Sequence, residues 1–394
     1  MTERGFTLVE CVVAAGLFLV ILSAVAAQFA PADGAFATQA EASDEQQRLR
    51  AAVDAIGREI MRAGARASVG VESGGLLRLA PPVLPYRVGL RGSEAPGTFR
   101  RDVITLVTAA DVPAAEMAIA QPMPAHTDVT RISPGPGCPQ GDPLCGLDVD
   151  ADVIIADGAG AFDLYSVTDV SPPTITLRHD GADGSLVYAT GSVVSPVAIR
   201  TFYRRSGTAT RPPQLVRYDG GAGPDVPVVD HVVDVVVTYL ADPDPPRMLR
   251  PLSDPSGPWT TYGPKPRPSD SSAMPFVAGS SCLFVDNGTP IATPRLVPLG
   301  VDGGGGTALV PVGAGELTDG PWCPDDLSPG RYDADLLRIR SVAITIRVES
   351  ALDALRGPAG SLFARGGTAR AADRWVPDLE IRTRITPVNL VSGR

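Results

Sequence analysis

Lysine is all but missing from this chain of 394 residues: Lys265 stands alone, and the rest of the 34 basic side chains are arginines. Histidine is scarce too, with only His126, His179 and His231, well separated in sequence. That scarcity leaves little material for His-centred catalysis, and the motifs of other chemistries are missing as well. There is no Gly-x-Ser-x-Gly nucleophile elbow, no His-Glu-x-x-His helix and no Gly-Lys-Ser/Thr phosphate loop. The histidines therefore read as solvated or structural residues, and no enzymatic activity is expected. The glycine run at 303–306 does not lie between a strand and a helix, so it reads as a flexible loop rather than a phosphate cradle. The net charge of −10 argues against a general nucleic-acid surface. The 42 glycines and 39 prolines make up about a fifth of the chain, so beyond the N-terminal region long helices are not expected and turns are.

Long apolar runs are also absent, with one exception. Residues 6–30 form an apolar run whose only ionisable carboxylate is Glu10, and they follow a short polar leader ending in Gly5. At ~1.5 Å per residue a helix of this length crosses ~30 Å of hydrocarbon. The leader is too short and the apolar segment too long for an ordinary secretory signal. A carboxylate inside such a helix costs several kcal/mol unless it is paired, which makes Glu10 functional by default. A cut after Gly5 would turn Phe6 into a new N-terminus with a positive amine. In a filament of staggered helices, Glu10 of one subunit can then neutralise the amine of its neighbour.

The stretch Gly5-Phe6-Thr7-Leu8-Val9-Glu10 ahead of an unbroken apolar helix resembles the class III signal of type IV pilins and type II secretion pseudopilins. The resemblance implies cleavage after Gly5 by a prepilin peptidase, N-methylation of Phe6, and a filament-assembly role for Glu10. It also implies an N-terminus on the cytoplasmic side of the inner membrane. The leader departs from the usual basic pattern, because Glu3 offsets Arg4.

Five cysteines are present. Cys11 lies in the apolar run and reads as a small apolar residue. Cys138, Cys145, Cys282 and Cys323 are even in number and fall in the part that the first helix would place outside the cytoplasm, so they read as two disulfides. Of the three pairings, Cys138–Cys145 and Cys282–Cys323 are preferred; the first closes a Pro-Gln-Gly-Asp-Pro-Leu loop with little else to hold it. A four-cysteine zinc site does not fit, since even the closest pair lacks the required spacing. In the acidic run 147–157, Asp148, Asp150 and Asp152 alternate as at the start of a calcium loop. However, Val153 stands where an EF-hand needs Gly, no Glu follows at the right distance, and the run also reads as a strand with polar residues outward. These three aspartates, with Asp242 and Asp244, are the calcium candidates; no other cofactor or metal is expected.

Pro31 and Asp33-Gly34 are expected to interrupt the helix where it leaves the membrane, with Asp33 capping a resumed helix. Leu49, Val53, Ile56 and Ile60 recur at helical spacing with Arg48, Asp54, Arg58 and Glu59 among the polar positions, which predicts an amphipathic helix ending near Gly64. Beyond it the pattern turns to short strands, at 76–79, 102–108, 152–155, 161–167, 174–178, 192–203, 214–218, 232–240, 282–285, 336–349 and 379–385. The last of these are expected to form an antiparallel sheet with the amphipathic helix across one face, an α+β arrangement. The Pro- and Ser-rich stretch 246–275 and the Gly-rich stretch 301–326 read as long surface loops, the second tied down by its disulfide.

The order of the later elements extends the resemblance. Leu215-Val-Arg-Tyr-Asp-Gly, then VVDHVVDVVVTYL at 228–240, RIRSVAITIRV at 338–348 and LEIRTRITPVNL at 379–390, is similar to the series in minor pilins of the PilW type and, more distantly, in J-type pseudopilins. The resemblance implies a type IV pilin fold: a long N-terminal helix, with a transmembrane and an amphipathic half, packed on an antiparallel sheet under an enlarged, loop-rich β head. The expected organisation is a cleaved leader at 1–5, a long helix at 6–67 with its membrane part at 6–30, and a head at 68–394. Insertions at about 110–190 and 243–330 have no counterpart in the family. The function implied is a minor pilin that primes a type IV pilus or sits at its tip. Its implied partners are other minor pilins, the major pilin, prepilin peptidase, a tip adhesin and the inner membrane, and no nucleic acid. A J-type pseudopilin of type II secretion is the alternative. A membrane-tethered periplasmic enzyme or binding module is the alternative of another class.

Overall fold

One helix, α1 (Leu8–Arg62), accounts for the N-terminal region. The structure, a computed structural model, describes residues 7–64, 81–110, 117–135, 138–156, 162–179, 187–243, 284–285, 293–294, 308–319, 322–323, 332–370 and 374–391, apart from single positions at 90, 93, 96, 209 and 222. The interruption expected at Pro31 and Asp33-Gly34 does not occur, because α1 runs through both. An interior proline costs ~3 kcal/mol through one lost hydrogen bond and a ring clash. Ending the helix would add the unfavourable nucleation of a second one. With strong helix formers on either side, propagation through the proline is the cheaper course. The C-terminal end falls where expected: Gly64 adopts φ +73°, the left-handed conformation that closes helices.

The chain divides into two compact units, Met1–Arg50 with Arg347–Glu380, and Ala51–Ile346 with Ile381–Arg394. In chain order the strands are β1 (Val83–Leu84), β2 (Val103–Ala109), β3 (Met117–Ile119), β4 (Val129–Pro134), β5 (Asp152–Ala156), β6 (Phe162–Ser171), β7 (Thr174–His179), β8 (Val193–Arg205), β9 (Gln214–Tyr218), β10 (Val226–Asp230) and β11 (Val232–Ala241). They continue with β12 (Phe284–Val285), β13 (Thr293–Pro294), β14 (Val310–Val312), β15 (Trp322–Cys323), β16 (Tyr332–Asp333), β17 (Ile339–Val348) and β18 (Leu379–Ile385).

The second unit is organised around β8, whose 13 residues are long enough to serve four partners. One edge pairs with β2 and β3, the other with β9 and β5, all antiparallel. Val193 and Val194 are bonded on both sides, to Ala118 and Met117 of β3 and to Ala156 and Ile155 of β5. From β3 the ladder continues through β4, β7 and β6 to β5 and so back to β8. Six antiparallel strands thus close into a ring, which removes the free edges that an open sheet would expose. The ring has its own apolar interior, including Met117, Ile132, Val153, Tyr165, Ile175, Leu177 and Val194. Five of its six strands, β3 to β7, lie in the stretch that resembled nothing in sequence, about 110–190.

The connection from β4 to β5 carries the disulfide Cys138–Cys145, one of the two expected. Cys145, Leu144 and Leu147 are buried in the ring's core, and Cys138 packs against it. The Asp142 carboxylate accepts the Leu144 and Gly146 N–H groups, at 2.9 and 2.6 Å, and so fixes the turn inside the disulfide loop. The other expected disulfide requires Cys282, which lies outside the described residues, as do the expected strand at 76–79 and the loop at 246–275.

A second sheet has the order β14-β11-β17-β18. Tyr239 of β11 joins it to the first sheet by donating its hydroxyl to the Val103 carbonyl, 3.1 Å. Ser341 of β17 donates to the Ile385 carbonyl of β18, 3.0 Å, and receives a bond from Arg384 Nε, 3.1 Å. In the same unit, Ile56 and Ile60 near the end of α1 are buried, and a side chain at Gly57 would lie 3.4 Å from Ile385 Cδ1. Glu59 pairs with Arg200 of β8 at 2.5 Å. The chain is therefore an α+β protein with an N-terminal apolar helix and antiparallel sheets.

Candidate functional site: the N-terminal helix and its buried charges

The first turns of α1 are built by the sequence Thr-Leu-Val-Glu. Thr7 precedes the helix, and Glu10 reaches back to it. The Thr7 N–H and Oγ1 both donate to Glu10 Oε2 at 2.9 Å, while the Glu10 N–H donates to Thr7 Oγ1 at 3.3 Å. This reciprocal arrangement is a capping box, which satisfies backbone donors that an exposed helix start leaves open. The spacing was there to be read from the sequence and was missed. Glu10 has a local role in addition to any partner in another subunit. Gly5 and Phe6 lie outside the described residues.

From Leu8 to Val25 the helix is apolar apart from Glu10 and Ser23, and none of it is buried. It is long and apolar enough to cross a membrane, as an anchor or as a signal sequence. Cys11, with a free thiol, is exposed along it.

Farther along, between Glu41 and Leu49, the helix buries charge instead of exposing apolar surface. Glu41, Glu45 and Leu49 are buried at four-residue spacing, with Glu45 at 0 % exposure. Their surroundings come from the segment after β17 in the same unit. The Ala351 N–H donates to Glu41 Oε1 at 2.5 Å, and Arg48 donates to the Glu349 carbonyl at 2.9 Å. Arg48 also bonds Glu41 at 2.9 Å and Asp44 at 2.8 Å. On the facing segment, buried Glu349 accepts from Arg365 and lies 3.8 Å from Arg356. Asp353 pairs with Arg356, and Arg347 pairs with Asp378 at 2.9 Å. The Ala364 N–H completes Asp378 Oδ2 at 2.7 Å.

Glu45 is the exception: neither of its buried oxygens has a hydrogen-bond partner. Burial pushes its carboxyl up to about 8; Arg48 opposes the shift, and Glu41, Asp378 and Asp44 reinforce it. Burial likewise holds Asp378 above the usual carboxylate range, partly offset by the Ala364 N–H and Arg347. The sequence analysis did not single out Glu45. Its signal was positional, since residues 41 and 45 continue the helical stripe of Leu49, Ile56 and Ile60 toward the N-terminus.

Among the described residues, Asp148, Asp150 and Asp152 do not form a cluster of ligands. Asp148 and Asp150 are exposed in the turn before β5, whereas Asp152 is buried and accepts from Ser166 Oγ at 2.9 Å. Asp242 pairs with Arg340 at 2.8 Å, and Asp244 lies outside the described residues. The acidic group that the fold does assemble, among the described residues, is Asp319, Asp333 and Asp335, with ligand oxygens within 4.8 Å of one another. It already has internal partners: Asp333 Oδ1 caps the Asp335 N–H at 2.9 Å, and Asp335 pairs with Arg338 at 2.9 Å. Burial pushes the Asp335 carboxyl up to about 7 against the pull of Arg338. The histidines sit on separate elements, His126 and His231 at left-handed backbone positions with φ 59° and 60°, and His179 at the end of β7.

A scan against protein-family models and searches of curated proteins and of solved structures match this chain to nothing.

Proposed function

We propose that this chain is a minor pilin, a structural subunit that primes a type IV pilus or sits at its tip. The observation that carries the reading is the start of α1. Glu10 stands in the first turn of an exposed apolar stretch, and although Thr7 caps it, its charge is left for a cation of a neighbouring subunit to neutralise. In this reading prepilin peptidase cuts after Gly5 and methylates Phe6. The freed amine of one subunit then meets Glu10 of the next, while the apolar helices leave the inner membrane together. The second half of α1, set on antiparallel sheets, supports the pilin layout. The closed ring at about 110–190 enlarges the head beyond what a tightly packed shaft would repeat, which favours a low-copy position beside other minor pilins and the major pilin. A tip adhesin follows as a partner from the same position.

Glu10 variants test this reading and separate it from the cap alone. Glu10→Gln keeps a capping-box residue but loses the charge; Glu10→Val loses both. Both variants are expected to insert in the membrane and to be missing from sheared filaments. Incorporation of Glu10→Gln at the wild-type level would contradict the reading and leave the carboxylate a cap only. Deleting the gene is expected to abolish twitching and leave exoprotein secretion intact; the reverse result would assign the chain to a type II secretion pseudopilus.

A further inference from the structure

We propose that Glu45 is a proton-operated latch, which holds the segment 349–369 against α1 while protonated and releases it when it ionises. The geometry rests on the pairing of every neighbouring charge. On the helix, Arg48 is engaged by Glu41 and Asp44. On the facing segment, Arg365 and Arg356 are engaged by Glu349 and Asp353, and Arg347 by Asp378. No arginine of the cluster is left for Glu45, whose two oxygens are buried without a hydrogen-bond partner. The strongest charge acting on it is Arg48, already engaged by Glu41 and Asp44, and against it stand three acids: Glu41 one turn before, Asp378 from across the packing surface and Asp44 beside it. A second negative charge four residues from Glu41 is destabilising even on an exposed helix, and far more so where water is excluded. The neutral acid avoids that cost. The ionised form recovers hydration only by opening the contact, and the contact that must open is the one sealed by Ala351 on Glu41 and by Arg48 on the Glu349 carbonyl.

The sign follows from linkage. The buried carboxyl titrates near 8 and an exposed one near the ordinary 4.5, so the closed form binds the extra proton between those values. The latch is fully closed below the lower value, weakens as pH rises between the two, and loses its whole contribution above the upper. The inference is independent of the pilin reading, because it concerns the packing of residues 41–48 of α1 against the segment after β17 and holds whatever the start of the helix is anchored to.

Hydrogen exchange on the full chain in detergent micelles, read as protection factors for amides 351–369, tests it locally. A global melt would mix in Asp335. Wild-type protection is expected to fall by up to about tenfold per pH unit from pH 5 to 8 and to level off above that. Glu45→Gln, neutral at every pH, is expected to stay protected at pH 9 with a flat profile. Asp44→Asn, an exposed neighbour, is expected to keep the wild-type slope. An unchanged slope in Glu45→Gln would overturn the latch, and so would a flat wild-type profile. A Glu45→Gln chain that is less protected than wild type at pH 9 would overturn it too, by showing that the ionised carboxylate is held rather than expelled.

Discussion

One face of one helix is buried in two different ways. Between residues 41 and 48 it presents Glu41, Glu45 and Arg48; between 49 and 63 it presents Leu49, Ala52, Ile56, Ile60 and Ala63, with a single buried acid, Glu59, held by Arg200. The apolar stretch gains from water's exclusion regardless of pH, at roughly 2–3 kcal/mol for each isoleucine, and it asks little of its neighbours' orientation. The charged stretch gains little net stability, because desolvation consumes most of the Coulombic attraction. What it gains is dependence: each group needs its partner, and one of them needs a proton. The same helix is therefore fastened firmly at one end of the stripe and conditionally at the other.

The comparison can be broken from either side. The largest effect is expected where a buried charge loses its partner. Glu349→Ala removes a fully buried acid that accepts from Arg365 and lies 3.8 Å from buried Arg356, which keeps Asp353, and should cost ~3–5 kcal/mol, read as reduced protection of residues 351–369. Ile60→Ala removes a fully buried side chain from the apolar stretch and should cost ~2–5 kcal/mol in chemical unfolding, by the same amount at pH 6 and pH 9. A pH-dependent loss there would blur the distinction drawn between the two stretches. Changing both Cys138 and Cys145 to serine reopens the short loop of the ring and should cost ~2–3 kcal/mol, with no effect on either stretch of the helix. The smallest effect is expected at Asp54→Asn. Its pairing with Arg58 joins two exposed side chains, and its loss should change the unfolding midpoint by less than ~0.5 kcal/mol.

Much of this was legible from residue pattern alone. Strands β9 and β18 fall on the predicted residues, and β2, β5, β7 and β11 fall within a residue or two of them. Alternation and turn residues are local signals, and these strands carry both. The strands β3 and β4 were not foreseen. Met-Ala-Ile is too short to show a period, and Val129–Pro134 ends in a residue that argues against a strand interior. The ring they complete depends on pairings between distant residues, such as Ala118 with Val193, which no window of sequence displays. The run through Pro31 was missed for the opposite reason: a strong local signal was overruled by the helix on both sides of it. At the candidate site, the apolar length and Glu10 were plain, while the capping box and the buried Glu45 were overlooked. Both belong to spacing rules already in use for Leu49, Ile56 and Ile60, applied to polar residues instead of apolar ones.

The account of function rests on a processed helix whose new amine finds a neighbour's carboxylate. Mass spectrometry of the protein recovered from sheared filaments reads that processing directly. The account predicts a mature chain that begins at Phe6 and carries one methyl group on its amine. A chain that still begins at Met1, or one that is never recovered with filaments, would contradict it.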